Sequence, residues 1–203
     1  MRPSKLIGAA LYAGVAALWG SYAYADEFSA RLNGFQELGS LPNVNLTAQT
    51  AANPTGAILS DGSGTAKLKL NRQGDTIFYT LTYSNVGTTL PLTGTVTQAH
   101  IHFGKSRDSG GILVFFCSNL GTGPAGTPTC PPNSGTVKGT WTADSVLAIP
   151  TQNVTAGDFN ALIAALDSDT AYANIHTMAL PAGEIRGQCR SDDRKDRDDR
   201  EHP

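Results

Sequence analysis

The clearest pattern along the chain is a two-residue alternation. From Ser63 to Asn71, Ala66, Leu68 and Leu70 alternate with Lys67 and Lys69, and from Thr76 to Tyr83, Ile77, Tyr79, Leu81 and Tyr83 alternate with Thr80 and Thr82. Successive side chains of a strand point to opposite faces, so each run predicts a half-buried strand. Asn71-Arg72-Gln73-Gly74-Asp75 between them has turn chemistry and joins the two as a hairpin. Phe28 to Phe35, Val96 to Phe103, Gly111 to Cys117, Gly135 to Trp141, Ala171 to Thr177 and Glu184 to Cys189 are further strand segments, separated by links that carry Gly and Pro. Many short strands punctuated in this way predict an all-β domain, a sandwich or barrel of about 7–9 antiparallel strands. One run has a helical period. Thr155 is placed to cap it, Asp158 follows three residues later as in a capping box, and Phe159, Leu162, Ile163 and Leu166 form one apolar stripe, so the spacing predicts a short helix over Thr155 to Leu166 that packs on the β-core. Leu38 to Gly56, rich in Asn, Thr and Pro, reads as a long loop or an irregular edge.

The two ends of the chain have other compositions. Arg2 and Lys5 precede an apolar stretch from Leu6 to Trp19, and the triplet Ala23-Tyr24-Ala25 stands before Asp26-Glu27. This is the three-part layout of a secretory signal, with an apolar core short for a bilayer span. It predicts a leader at 1–25, a mature chain starting at Asp26 and a secreted or periplasmic location. No later stretch is apolar enough to cross a membrane as a helix. At the other end, Ser191 to Pro203 reads SDDRKDRDDREHP, with nothing to bury but proline; it predicts a disordered charged tail after a single domain at 26–190. Taking Arg2 and Lys5 from the 15 basic residues leaves 13 against 17 acidic ones, a net of −4, which offers nucleic acid no attraction.

Export bears on the cysteines, because disulfides persist outside the cytoplasm. Cys117 and Cys130 bracket a Gly/Pro-rich loop with little structure of its own, and a bridge there is the local closure, stabilising by roughly 3 kcal/mol in the chain-entropy treatment. Cys189 is then the odd thiol, open to being free, intermolecular or the mate of one of the others.

Chemistry is hinted at in one place. AHIHFG at Ala99 to Gly104 and NIHTMALPAGEIRGQ at Asn174 to Gln188 hold every histidine outside the charged tail. The strand period puts His100 and His102 on one face, Asn174 and His176 on one face, and aligns Glu184, Arg186 and Gln188 beyond the Pro181-Ala182-Gly183 turn. Should the strands be neighbours, these residues make one polar cluster.

The order of the GSGTAKLKL strand, IFYTLTY, AHIHFG, GGILVFF and the closing AYANIHTMALPAGEIRGQ resembles the CHRD domain, found in chordin and in many small secreted single-domain bacterial proteins. The resemblance covers most of Asp26 to Cys189, with Ile175 in place of the more usual valine. It implies an immunoglobulin-like or barrel fold in an extracellular setting. Chordin's cysteine-rich growth-factor-binding modules have no counterpart here, so its partner does not carry over.

Three readings of the polar cluster compete. In the first, the histidines, Glu184 and Arg186 form satisfied hydrogen bonds and ion pairs that hold strand register. In the second, His100 and His102, about 7 Å apart at Cα, join His176 as three nitrogen ligands for Cu or Zn. The H-x-H strand is loosely similar to that of copper-zinc superoxide dismutases, but the other histidines and the bridging ligand of that family are missing. In the third, Glu184 and a histidine divide general acid and base roles; no nucleophile elbow or paired carboxylates accompany them, and Ser106 and Ser109 sit in no motif. The reading adopted is an exported binding or structural module for an unidentified extracellular ligand or protein, not an enzyme and needing no cofactor, with a small Cu- or Zn-binding protein as the alternative.

Overall fold

A computed structural model of the chain describes residues 26–38 and 56–192. The expected leader, most of the expected long loop and the charged tail beyond Asp192 lie outside the described residues. The strands are β1 (Glu27–Asn33), β2 (Ser63–Leu70), β3 (Ile77–Ser84), β4 (Val96–Phe103), β5 (Gly111–Ser118), β6 (Gly135–Trp141), β7 (Ala171–Thr177), β8 (Ile185–Gln188) and β9 (Arg190–Ser191), with one helix, α1 (Phe159–Asp167). All pairings are antiparallel, in the spatial order β5-β4-β7-β8-β1-β2-β3-β6, and β9 pairs with β1. The all-β class stands, in its barrel form.

The hairpin of β2 and β3 forms where the alternation is strictest. Ala66, Leu68, Leu70, Ile77, Tyr79, Leu81 and Tyr83 are buried, while Lys67 and Lys69 stay in solvent. The Asn71 side chain closes the turn, its Oδ1 accepting from the amides of Asp75 and Thr76, both at 3.1 Å. Fully burying a Leu or Ile side chain contributes about 1.5–3 kcal/mol, so one inward stripe fixes the register against a one-residue slip.

β5 and β6 lie at the two ends of the sheet order and are not paired with each other. Two side chains and a backbone amide bridge the seam instead. Trp141 Nε1 donates to the Phe115 carbonyl at 2.7 Å, Tyr79 OH donates to the Phe116 carbonyl at 3.0 Å, and the Leu147 amide reaches the Leu113 carbonyl at 2.9 Å. Tyr79 and Trp141 stack with centroids 4.5 Å apart, which holds both donors in place.

The helix starts later than predicted. Its cap is Asp158, whose carboxylate accepts from the Ala161 amide at 3.0 Å, rather than Thr155. Gly157 at φ +81° explains the delay, because a left-handed residue cannot lie inside a right-handed helix. Phe159, Leu162, Ala165 and Leu166 make the buried stripe. Cys117 and Cys130 are bonded, with Cα atoms 5.1 Å apart, and Asn119 reinforces the loop by exchanging hydrogen bonds with the Cys130 backbone. Cys189 lies buried outside that bridge. Ser191 and Asp192, assigned from sequence to the tail, are held on β1: Ser191 pairs with Phe28, and Ser29 Oγ donates to Asp192 Oδ1 at 2.6 Å.

β7 departs from simple alternation, being buried at all seven positions. Ala173 and Ile175 belong to the apolar core, as do Ala99 and Ile101 on β4. The intervening side chains face the other way, out of the barrel, and are nonetheless covered.

Candidate functional site

What lies on that outer face follows from register. β4 and β7 pair His100 with Asn174, Gln98 with His176 and His102 with Tyr172, and β7 and β8 pair Asn174 with Arg186 and Tyr172 with Gln188. Three adjacent strands therefore place His100, His102, Tyr172, Asn174, His176, Arg186 and Gln188 on one surface. The cover is backbone from two links, Lys105 to Gly110 after β4 and the Pro181 turn after β7, together with Glu37 after β1 and the Phe115 ring from β5.

The three histidines converge. Their ring centroids are 4.9 to 5.8 Å apart, and one nitrogen from each can be chosen so that all lie within 4.8 Å of one another. His102 Nδ1 is 2.9 Å from the Gly110 carbonyl, and His176 Nδ1 is 3.0 Å from the Pro181 carbonyl. A carbonyl only accepts, so both Nδ1 atoms carry the proton and both Nε2 atoms present a lone pair. His100 Nδ1 is 3.2 Å from His176 Nε2 and must donate to it, which leaves His100 Nε2 as a lone pair too. The Nε2 atoms of His100 and His102 are buried and have no hydrogen-bond partner among the described residues.

Burial keeps the cluster uncharged. Desolvation pushes His102 down to about 3, helped by the neighbouring His176 and Arg186, and His176 down to about 4. His100 is driven well below the ordinary histidine range by desolvation, then by His176 and His102. At neutral pH all three imidazoles are neutral.

Around them runs a second layer. Tyr172 stacks on His102 at 4.8 Å, and the Arg186 guanidinium carbon sits 3.4 Å from the Tyr172 ring centre. Arg186, 2 % exposed, donates to the carbonyls of Asp108 at 2.9 Å and Lys105 at 2.7 Å, pinning the link that also holds His102. Asn174 donates to Glu37 and to the Ile185 carbonyl at 2.9 Å. Burial raises the Glu37 carboxyl above its usual range, against the Leu38 amide, Asn174 and Arg186, which pull it down. Gln188 donates to the Gly104 and Asp169 carbonyls at 3.0 and 2.8 Å. Gly183, at φ +133°, packs directly on the Glu37 and Asn174 side chains, and a Cβ there would come within 2.5 Å of Glu37 Oε2.

Glu184 is the residue the structure sets apart. It precedes β8, whose alternation begins at Ile185, and it turns to the side of Thr177 rather than His176. It neither pairs with Arg186 nor joins the histidines. Its carboxylate accepts from Ser60 Oγ at 2.7 Å, the Gly87 amide at 2.9 Å, Thr177 Oγ1 at 2.9 Å and Thr93 Oγ1. In place of the ion pairing expected of Glu184 and Arg186 there are two separate networks, hydroxyls and an amide around Glu184 and carbonyls around Arg186. Sequence reasoning also missed Tyr172 and Glu37. Tyr172 was findable, two residues before Asn174 on the same strand; Glu37 was not, since it lies in no strand.

No curated protein sequence matches the chain. Residues 28–189 match the CHRD domain, a span running from β1 through the last residue before β9 and taking in every side chain of the histidine face. With that match extending over most of its length, the chain belongs to the CHRD domain family.

Proposed function

We propose that the protein is an exported binding module whose binding element is the histidine face, with His100, His102 and His176 holding one copper or zinc ion. The observation that carries this reading is the pair of Nδ1–H groups fixed by backbone carbonyls. Histidine ligands are ordinarily oriented in this way, the outer nitrogen donating to a carbonyl while the inner one binds the ion. One nitrogen from each imidazole lies within 4.8 Å of the others, so a modest inward shift brings them to the roughly 3.4 Å that two ligands at 2.0–2.1 Å subtend around one ion. A purely structural cluster would leave two buried lone pairs without donors, at about 1–3 kcal/mol each. Arg186, Tyr172 and Gln188 then serve as supports that hold the two covering links over the imidazoles. Nothing in the arrangement supports a hydrolytic role for Glu184, which is fully taken up by hydroxyl and amide donors.

The test is metal content and titration on protein carrying no affinity tag. One equivalent of copper or zinc is expected, with His102→Gln and His176→Gln each lowering affinity by at least about tenfold while the far-ultraviolet spectrum is unchanged. Wild-type protein that takes up neither ion would refute the centre. Export is supported by the Cys117–Cys130 bridge and by the extracellular character of the family. N-terminal sequencing of the exported protein is expected to begin at Asp26, and an intact Met1 would contradict cleavage after Ala25.

A further inference from the structure

Deepening the metal reading, and resting on it, we infer that the histidine centre is built for a monovalent d10 ion, Cu(I), in preference to Zn(II) or Cu(II). Four observations bear on the charge and coordination number the site accepts. Among the described residues, the cluster within 4.8 Å consists of three histidines alone, with no carboxylate and no thiolate among its members, so every ligand it offers is neutral. Those histidines are 0, 8 and 5 % exposed, so a bound ion is stripped of most of its water. The walls are aromatic: the Phe115 ring meets His100 edge-on at 4.3 Å, and Tyr172 lies flat against His102. The fixed charge beside the site is positive, the Arg186 guanidinium resting on Tyr172. Glu37, the buried carboxylate on this face, is occupied by Asn174 and the Leu38 amide.

The cost of desolvating an ion rises with the square of its charge, so a divalent ion pays about four times what a monovalent one does. Neutral ligands return none of that as charge neutralisation, and repulsion from Arg186 is doubled for a dication. Coordination number points the same way. Zinc held by three protein ligands takes a water as its fourth, and Cu(II) seeks a tetragonal set, whereas the described residues supply three nitrogens at positions largely shut off from solvent. Cu(I) has no ligand-field preference, is stable with two or three imidazoles and carries the smaller charge. The centre therefore takes the lower charge state and holds copper reduced.

The deciding experiment compares ions on untagged wild-type protein. Cu(I) is titrated anaerobically against bicinchoninate as the competing chelator, Ag(I) serves as an air-stable monovalent probe, and Zn(II) and Cu(II) are titrated separately. Cu(I) and Ag(I) are expected to bind one per chain, with a Kd at least about 100-fold below that of Zn(II), and voltammetry of the copper-loaded protein is expected to give a potential above that of aqueous copper. Zn(II) or Cu(II) binding as tightly as Cu(I), or a copper potential below the aqueous one, would overturn the selectivity while leaving the metal centre standing. Failure of all four ions to bind would bring down the centre itself and this inference with it.

Discussion

Arg186 shows how much a single side chain can carry when its partners are main-chain atoms. Its two bonds to the carbonyls of Lys105 and Asp108 join β8 to the link that closes over His102, and its flat face covers Tyr172. Arg186→Ala leaves both carbonyls without a donor and opens space over the ring, and we expect it to lower unfolding free energy by about 2–4 kcal/mol in urea titrations. Arg186→Lys should recover little of this, because one ammonium cannot reproduce the planar two-pronged donor. A loss below about 0.5 kcal/mol in the alanine variant would mean the bonds are replaced by water at no cost. The importance of Arg186 was legible in the sequence, from its place beside Gln188 on a strand of period two. Its partners were not, because a side chain that bonds to backbone carbonyls leaves no complementary residue to find. The expectation of a Glu184 partner arose from the same period applied one residue too early, across a turn where it does not hold.

The strands were readable wherever one face is polar and the other apolar. β2 and β3 match their predicted spans closely, with Lys and Thr interrupting the apolar positions at period two, and β6 matches to the residue; β4 and β7 match to the residue as well, with His and Asn in place of exposed polar residues on the second face. Caps were less readable, since two candidate acceptors three residues apart satisfy the same motif. The choice between them falls to the backbone: Gly157 in the left-handed region makes Thr155 part of a turn and Asp158 the first residue able to hold an exposed helix amide. Asp158→Ala should therefore cost about 1 kcal/mol and Thr155→Ala less than about 0.5 kcal/mol, compared by chemical denaturation. Equal losses at both positions would place the helix start where the sequence alone suggested.

For the molecule as a whole, the buried histidines couple stability to acidity. In the unfolded chain histidine titrates near 6.5, whereas folding brings His176 down to about 4 and His102 to about 3. Between those limits the unfolded chain takes up protons that the folded one refuses. Stability is then complete above about pH 6.5 and declines as pH falls toward 4, by up to about 1.4 kcal/mol per pH unit for each histidine. Glu37, with its raised carboxyl, acts in the opposite sense, but as one group against three. Urea midpoints measured between pH 7.5 and 5 should fall steadily without metal, and a flat profile would contradict the burial of the cluster. The composition of this cluster could be read from two motifs. Its position could not, since the links that cover it and the outward direction of the stripe depend on strand order, which alternation leaves open.

The barrel's seam has a consequence for how the protein meets others of its kind. A sheet that stops short of full closure leaves two edges whose idle amides and carbonyls can recruit a foreign strand and start a fibre. On β5 the carbonyls of Leu113, Phe115 and Phe116 are already claimed by the Leu147 amide, the Trp141 indole and the Tyr79 hydroxyl. An approaching chain finds those acceptors spent, two of their donors carried on rings buried in the core. The aromatic pair that completes the core thus also closes the edge, without a continuous ladder of main-chain bonds.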